Sequence, residues 1–253
     1  MNLTRYLSRI DVRTDGLRQG IETLRLLQYQ HLLHVPFENL DIHWKRPIVL
    51  DTDRFYKKIV EDGRGGFCYE LNGLFNDLLV AVGFHTHLVS GRVYGSDKVP
   101  GPEFDHMGII VLVGNDEYLA DVGFGDFIAE PLKIDPSSEQ MDREGVFMVR
   151  LTEHGAFEVE KMVEDGWKPE CLFGRNAHAL HEFSGMCEFH QYSPESHFTR
   201  GKVCSQLTAD GRKTLTDKKF IVTAGSEKIE AAVGSEEEFD AILLREFSIS
   251  RDT

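Results

Sequence analysis

An α+β fold is what the order of hydrophobic patterns predicts. Over residues 1–84 the apolar positions recur at helical spacing, from about 85 the period falls to two, and beyond about 190 the two patterns mix. Helices first, strands next and a small mixed α/β tail segregate the element types instead of alternating them, which divides the chain into 1–84, 85–190 and 191–253.

In the first region Leu17, Ile21, Leu24 and Leu27 lie on one helical face. The segment HVPFENLDIHW at 34–44 interrupts the pattern, because Pro36 biases Val35 away from the helical region. After Gly65-Gly66 comes a second helix. Phe67, Leu71, Leu74, Phe75, Leu78, Leu79 and Val82 form one apolar stripe, and Gly83 stands where a C′ glycine ends a helix. THLVSGRVY at 86–94 reads as a strand. HMGIIVLV, then GNDE, then YLADV reads as a hairpin over 106–122. GVFMVRL at 145–151 and AFEVEKM at 156–162 continue the β pattern. In the tail, KKFIVTA at 218–224 reads as a strand and SEEEFDAILLREF at 235–247 as a helix with an acidic first turn.

Composition narrows the function classes. The chain has 253 residues, 41% of them hydrophobic, enough for a substantial core. Its longest apolar runs fall far short of a membrane span of about 18 residues, and MNLTRYLSRI lacks the apolar region of a signal peptide. A net charge of −14 disfavours nonspecific binding to nucleic acid or anionic membrane. Cys68, Cys171, Cys187 and Cys204 show no disulfide spacing, so a cytoplasmic protein with reduced thiols is expected.

Cys68 is the candidate nucleophile. GRGGFCYELNGLF sets it after two glycines, in the first turn of an amphipathic helix. Unpaired N–H groups and positive potential at that terminus favour a thiolate and lower its pKa. The same N–H groups suit an oxyanion, and the glycines allow a sharp turn and leave room for a substrate. Position alone is equally compatible with a buried structural cysteine.

A thiol nucleophile needs a base and the base an orienting group. His106 opens one hairpin arm and Asp121 ends the other. With a two-residue turn at Asn115-Asp116, Ile110 pairs with Asp121, and His106 shares the face of both. That register leaves His106 about four residues away, on the order of 13 Å, so a different turn or a bulge must close the gap. Taken singly, a histidine at a strand start is compatible with a structural role, and Asp121 with capping the Val122-Gly123-Phe124-Gly125 turn.

Five segments in order resemble the arylamine N-acetyltransferases. RGGFCYELNGLF at 64–75 is similar to the family's active-site signature, and VPFENLD at 35–41 to its N-terminal motif. Asp105-His106-Met107 and Leu119–Gly125 resemble its histidine and aspartate segments, and His197-Phe198-Thr199 a motif near the third domain. The resemblance is dense from about residue 4 to 127 and thinner afterwards. It implies a triad of Cys68, His106 and Asp121. It also implies a papain-like arrangement, with a helical N-terminal domain carrying the nucleophile, a β-barrel middle domain carrying His106 and Asp121, and an α/β C-terminal lid. The implied reaction is ping-pong acetyl transfer from acetyl-CoA to an arylamine or arylhydrazine nitrogen. Phe37, Phe124 and Phe198 match positions lining the acceptor pocket, and Gly123 and Gly125 a loop facing the CoA pyrophosphate. Arg64 and Glu38 match a pair that braces the active-site loop.

Two other readings compete. A cysteine hydrolase or transglutaminase-like enzyme can use the same Cys-His-Asp order, although RGGFCYELN favours the transferase. Cys171, His178, His181, Cys187 and His190 include H-x-x-H and C-x-x-H spacings that zinc can use, but with no CxxC pair no metal is expected.

Overall fold

The computed structural model describes residues 1–252. Five helices fill the first region: α1 (Leu3–Arg9), α2 (Ile21–His34), α3 (Leu40–Trp44), α4 (Thr52–Tyr56) and α5 (Cys68–Val82), with the two-residue strand β1 (Phe37–Glu38) between α2 and α3. The next region holds β2 (His85–Val93), β3 (His106–Val113), β4 (Asp116–Ala120), β5 (Leu132–Lys133), β6 (Glu139–Asp142), β7 (Gly145–Leu151), β8 (Phe157–Val163) and β9 (Gly166–Phe173). Helix α6 (Ser184–Tyr192) follows, then β10 (Val203–Leu207), β11 (Gly211–Thr216), β12 (Lys219–Ala224), β13 (Glu227–Ala232) and α7 (Glu236–Phe247).

The eight strands β2–β9 form one sheet in the order β5-β4-β3-β2-β9-β8-β7-β6. Its edges β5 and β6 are bridged by a side chain. Gln140 accepts from the Lys133 N–H at 2.7 Å and donates to the Lys133 carbonyl at 2.8 Å, as a strand neighbour would. The sheet is thereby nearly closed into a barrel. β3 explains why GIIVLV reads as a continuous apolar run. Met107, Ile109 and Val111 pack on the helical core beside α5, whereas Ile110 joins Val89 and Leu119 in the barrel core.

α5 follows the sequence closely. Leu71, Leu74, Phe75, Leu78 and Leu79 are fully buried, and Gly83 ends the helix in the left-handed region at φ 107°. Ser235 caps α7, its hydroxyl accepting from the Glu238 N–H at 3.2 Å.

Three features depart from the simplest reading. α6 and the turn before it send Phe183 and Cys187 into the helical core, not the barrel. Strand β1 of the first region pairs with β10, opening a second sheet ordered β1-β10-β11-β12-β13 on which α7 packs. The hairpin turn lies at Gly114-Asn115, one residue earlier than expected, because Val113 pairs with Asp116. Gly114 takes φ 64°, the left-handed first position of a type II′ turn, which glycine occupies without strain. Among the described residues no helix is long and apolar enough to cross a membrane.

Candidate active site

The altered turn closes the gap between His106 and Asp121. Ile110 pairs with Leu119 and Ile109 with Ala120, so the ladder extended by one residue sets Asp121 opposite Gly108, two positions from His106. Gly108 has no side chain to intervene, and Gly91 lies opposite His106 on the other neighbour. The imidazole therefore reaches across, and its Nε2 donates to Asp121 Oδ2 at 2.5 Å.

Asp121 is fixed from three more directions. Its Oδ1 accepts from Asn72 Nδ2 at 2.9 Å and from the Gly123 N–H at 2.8 Å, and its own N–H donates to Gln28 Oε1 at 3.2 Å. Asn72 also accepts from the Val122 N–H at 2.8 Å and donates to the Met107 carbonyl at 2.5 Å. One amide on α5, a turn beyond Cys68, thus ties the nucleophile's helix to both the histidine and the aspartate segments. Asn72 and Gln28 were not singled out from the sequence. Their signal was there in part: a polar residue within a buried helix must find partners.

Cys68, His106, Gly123, Phe37, Phe124 and Phe198 meet around one cavity of about 150 Å³, with Val93, Asp105 and His197 completing its wall. Phe124 lies edge-on to the His106 ring at 4.9 Å and Phe198 edge-on to Phe67 at 4.6 Å, so the walls are aromatic on both sides of the thiol. Gly123 and Gly125 part company. The Gly123 N–H is committed to Asp121, and a Cβ there would stand 2.8 Å from the Cys68 carbonyl and 2.9 Å from its Cα. Gly123 is therefore glycine so that the aspartate segment can pack on the nucleophile's backbone, and its N–H is not free for a pyrophosphate. Gly125, at φ 97°, lies outside the cavity wall beside Phe37, and Arg212 donates to its carbonyl.

Gly65 likewise provides a close approach and not substrate space. A Cβ there would come within 2.2 Å of the Pro36 carbonyl, where Gly66 runs parallel to Phe37 and accepts the Glu38 N–H at 2.8 Å. Beneath this loop lies a buried ion network. Arg64 binds Glu38 at 2.6 Å and Asp41 at 2.7 Å, and Lys58 binds Asp41 and Glu70, each at 2.8 Å. Glu70 also accepts the Phe67 N–H at 2.8 Å, capping α5 beside the nucleophile.

The electrostatics of Cys68 differ from the simple expectation of a lowered pKa. Burial pushes the thiol well above its ordinary value of 9.0, and Cys187, Asp105 and Asp121 push the same way, against the Tyr69 N–H. The helix terminus is thus outweighed for an isolated thiolate. Passing the proton to His106 creates no net charge, however, and Asp121 is already placed to hold the imidazolium.

The residues offered by the zinc spacings are dispersed. Cys171 lies in the barrel core, Cys187 in the helical core, and His190 bonds Asp105 and Ser196. Among the described residues no group of three or more His, Cys, Asp or Glu is placed to hold a metal ion.

Known proteins share both sequence and architecture with this chain. A family model described as N-acetyltransferase matches residues 20–253. The arylamine N-acetyltransferase of Mycolicibacterium smegmatis is 32% identical over 88% of this chain and 82% of its own length. The arylamine N-acetyltransferase / N-hydroxyarylamine O-acetyltransferase of Salmonella typhimurium is 31% identical over 85% of this chain and 76% of its own. A solved structure of arylamine N-acetyltransferase from Salmonella typhimurium overlays with a TM-score of 0.92 at 26% identity, covering 98% of this chain and 90% of that one. With a matching family model over nearly its whole length and relatives above the level of chance likeness in both sequence and fold, this chain belongs to the arylamine N-acetyltransferase family.

Proposed function

We propose that the protein moves an acetyl group from acetyl-CoA to an arylamine or arylhydrazine nitrogen through a thioester on Cys68. The observation carrying this reading is the aromatic cavity in which Cys68 and His106 meet Phe37, Phe124 and Phe198. Because Asp121 holds Nε2 of His106, Nδ1 is the nitrogen left for the thiol. It takes the Sγ proton as sulfur attacks the thioester carbonyl of the donor. The carbonyl oxygen becomes an oxyanion, which the first-turn N–H groups of α5 can stabilise. Collapse expels CoA, and His106 returns the proton to the departing sulfur. In the second half the amine attacks the Cys68 thioester, His106 accepts its proton, and the Cys68 thiolate leaves. The phenylalanines suit a flat aromatic acceptor, which buries apolar area against them and presents its nitrogen to the thioester. Four unpaired cysteines agree with a cytoplasmic setting.

Steady-state kinetics with acetyl-CoA and a simple arylhydrazine test the route. Parallel double-reciprocal lines and CoA release without acceptor are expected. Intersecting lines would contradict the thioester intermediate, and amide hydrolysis with no CoA-dependent transfer would favour the cysteine hydrolase reading.

A further inference from the structure

One buried histidine has no part in this scheme. His190, on α6, is 2% exposed, and it joins the segment carrying the catalytic histidine to the segment carrying Phe198. On one side its Nε2 lies 3.3 Å from both Oδ1 and the carbonyl of Asp105, the residue before His106. On the other its Nδ1 lies 3.2 Å from Ser196 Oγ, which accepts the Phe198 N–H at 3.3 Å. The polarities agree along the chain of bonds. A carboxylate and a carbonyl only accept, so Nε2 carries the proton. Nδ1 then accepts from the Ser196 hydroxyl, whose lone pair remains for the Phe198 N–H.

The segment being held needs holding. Phe104, two residues before His106, takes φ 64°, a left-handed conformation unfavourable to a bulky side chain. Ser90 Oγ accepts its N–H at 2.7 Å, Tyr69 Oη donates to its carbonyl at 2.8 Å, and Asp105 Oδ2 accepts the Val93 N–H at 3.4 Å. Tyr69 Oη also lies 3.3 Å from the Asp105 carbonyl, and the Asp105 N–H donates to the Pro102 carbonyl at 3.4 Å. His190 adds to these bonds, and its ring also meets Phe198 of the acceptor wall at 5.1 Å. Ser196, His190 and Asp105 superficially form a second triad, but Ser196 is 2% exposed and its oxygen is engaged by Phe198, so it serves as a brace.

Resting on the proposed transfer reaction, we infer that His190 is a positioning residue that couples the orientation of His106 to the Phe198 wall of the acceptor pocket. Its loss then impairs both half-reactions, whereas cutting the chain at Ser196 impairs the second alone. The test measures CoA release without acceptor and acceptor KM and kcat for three variants beside the wild type. His190→Leu should slow CoA release and acceptor turnover by roughly 10- to 100-fold. Ser196→Ala should raise acceptor KM several-fold and leave CoA release unchanged. His190→Gln, which keeps a donor for Asp105, should restore CoA release to within a few-fold of wild type. If His190→Leu does not fold, the other two variants decide, because both should raise acceptor KM while CoA release stays near wild type. Wild-type values for Ser196→Ala and His190→Gln in both half-reactions, or losses equal in the two halves, would overturn the inference. A wild type that releases no CoA would instead overturn the transfer reading itself.

Discussion

His106→Gln is expected to leave Cys68 as an isolated, protonated thiol at neutral pH and to slow CoA release by about 100- to 10,000-fold, the usual range for losing a general base. Burial raises the thiol above 9.0 when no imidazole can take its proton. A raised pKa means that thiolate appears only as the pH climbs, so iodoacetamide should modify the variant's Cys68 appreciably only in alkaline solution. In the wild type the thiolate–imidazolium pair should already react near neutrality. All four cysteines are buried, and peptide mapping assigns the modification to Cys68 or to one of the others. Equal alkylation profiles for variant and wild type would show that the helix terminus alone maintains the thiolate.

Arg64→Met is expected to destabilise the fold by about 3–5 kcal/mol, the cost of leaving buried charge without its partner. Glu38 is fully buried and Asp41 nearly so, and with Arg64 gone only Lys58 faces both. Arg64 also stacks 4.8 Å over the Trp44 ring, a contact that methionine replaces incompletely. For a chain of this size such a loss lowers Tm on the order of 10 °C. Activity should persist below the new midpoint, because Arg64 touches neither the cavity nor the triad. Denaturant unfolding of both proteins measures the difference, and a change under about 1 kcal/mol would contradict the bracing role.

The helical stripe of α5, the period change near residue 85 and the α7 cap were legible because each is local: burial on one face, a pleat, an N-cap. The shared face of His106 and Asp121 was legible from parity alone. Their contact was not, because GNDE offers two adjacent two-residue turns and the choice shifts the register by two residues. The preference of Gly114 for the left-handed first position, and the empty face at Gly108, settle the pairing. Strand β1 escaped because two residues carry no period, and β13 because every residue of EKIEAA is exposed. The close packing of Gly123 on Cys68 joins residues 55 positions apart, which spacing does not encode. The family resemblance supplied the roles, whereas the bonds from Asn72, Gln28 and His190 emerge only from the folded chain.

The central claim is that Cys68 carries the acyl group. Intact-mass and peptide mass spectrometry of the protein mixed with acetyl-CoA and no acceptor tests it most directly. The account predicts one added acetyl group, located on Cys68, absent in Cys68→Ser, and discharged when an arylamine is added. An acetyl group on another residue, or amide formation with Cys68→Ser at the wild-type rate, would contradict it.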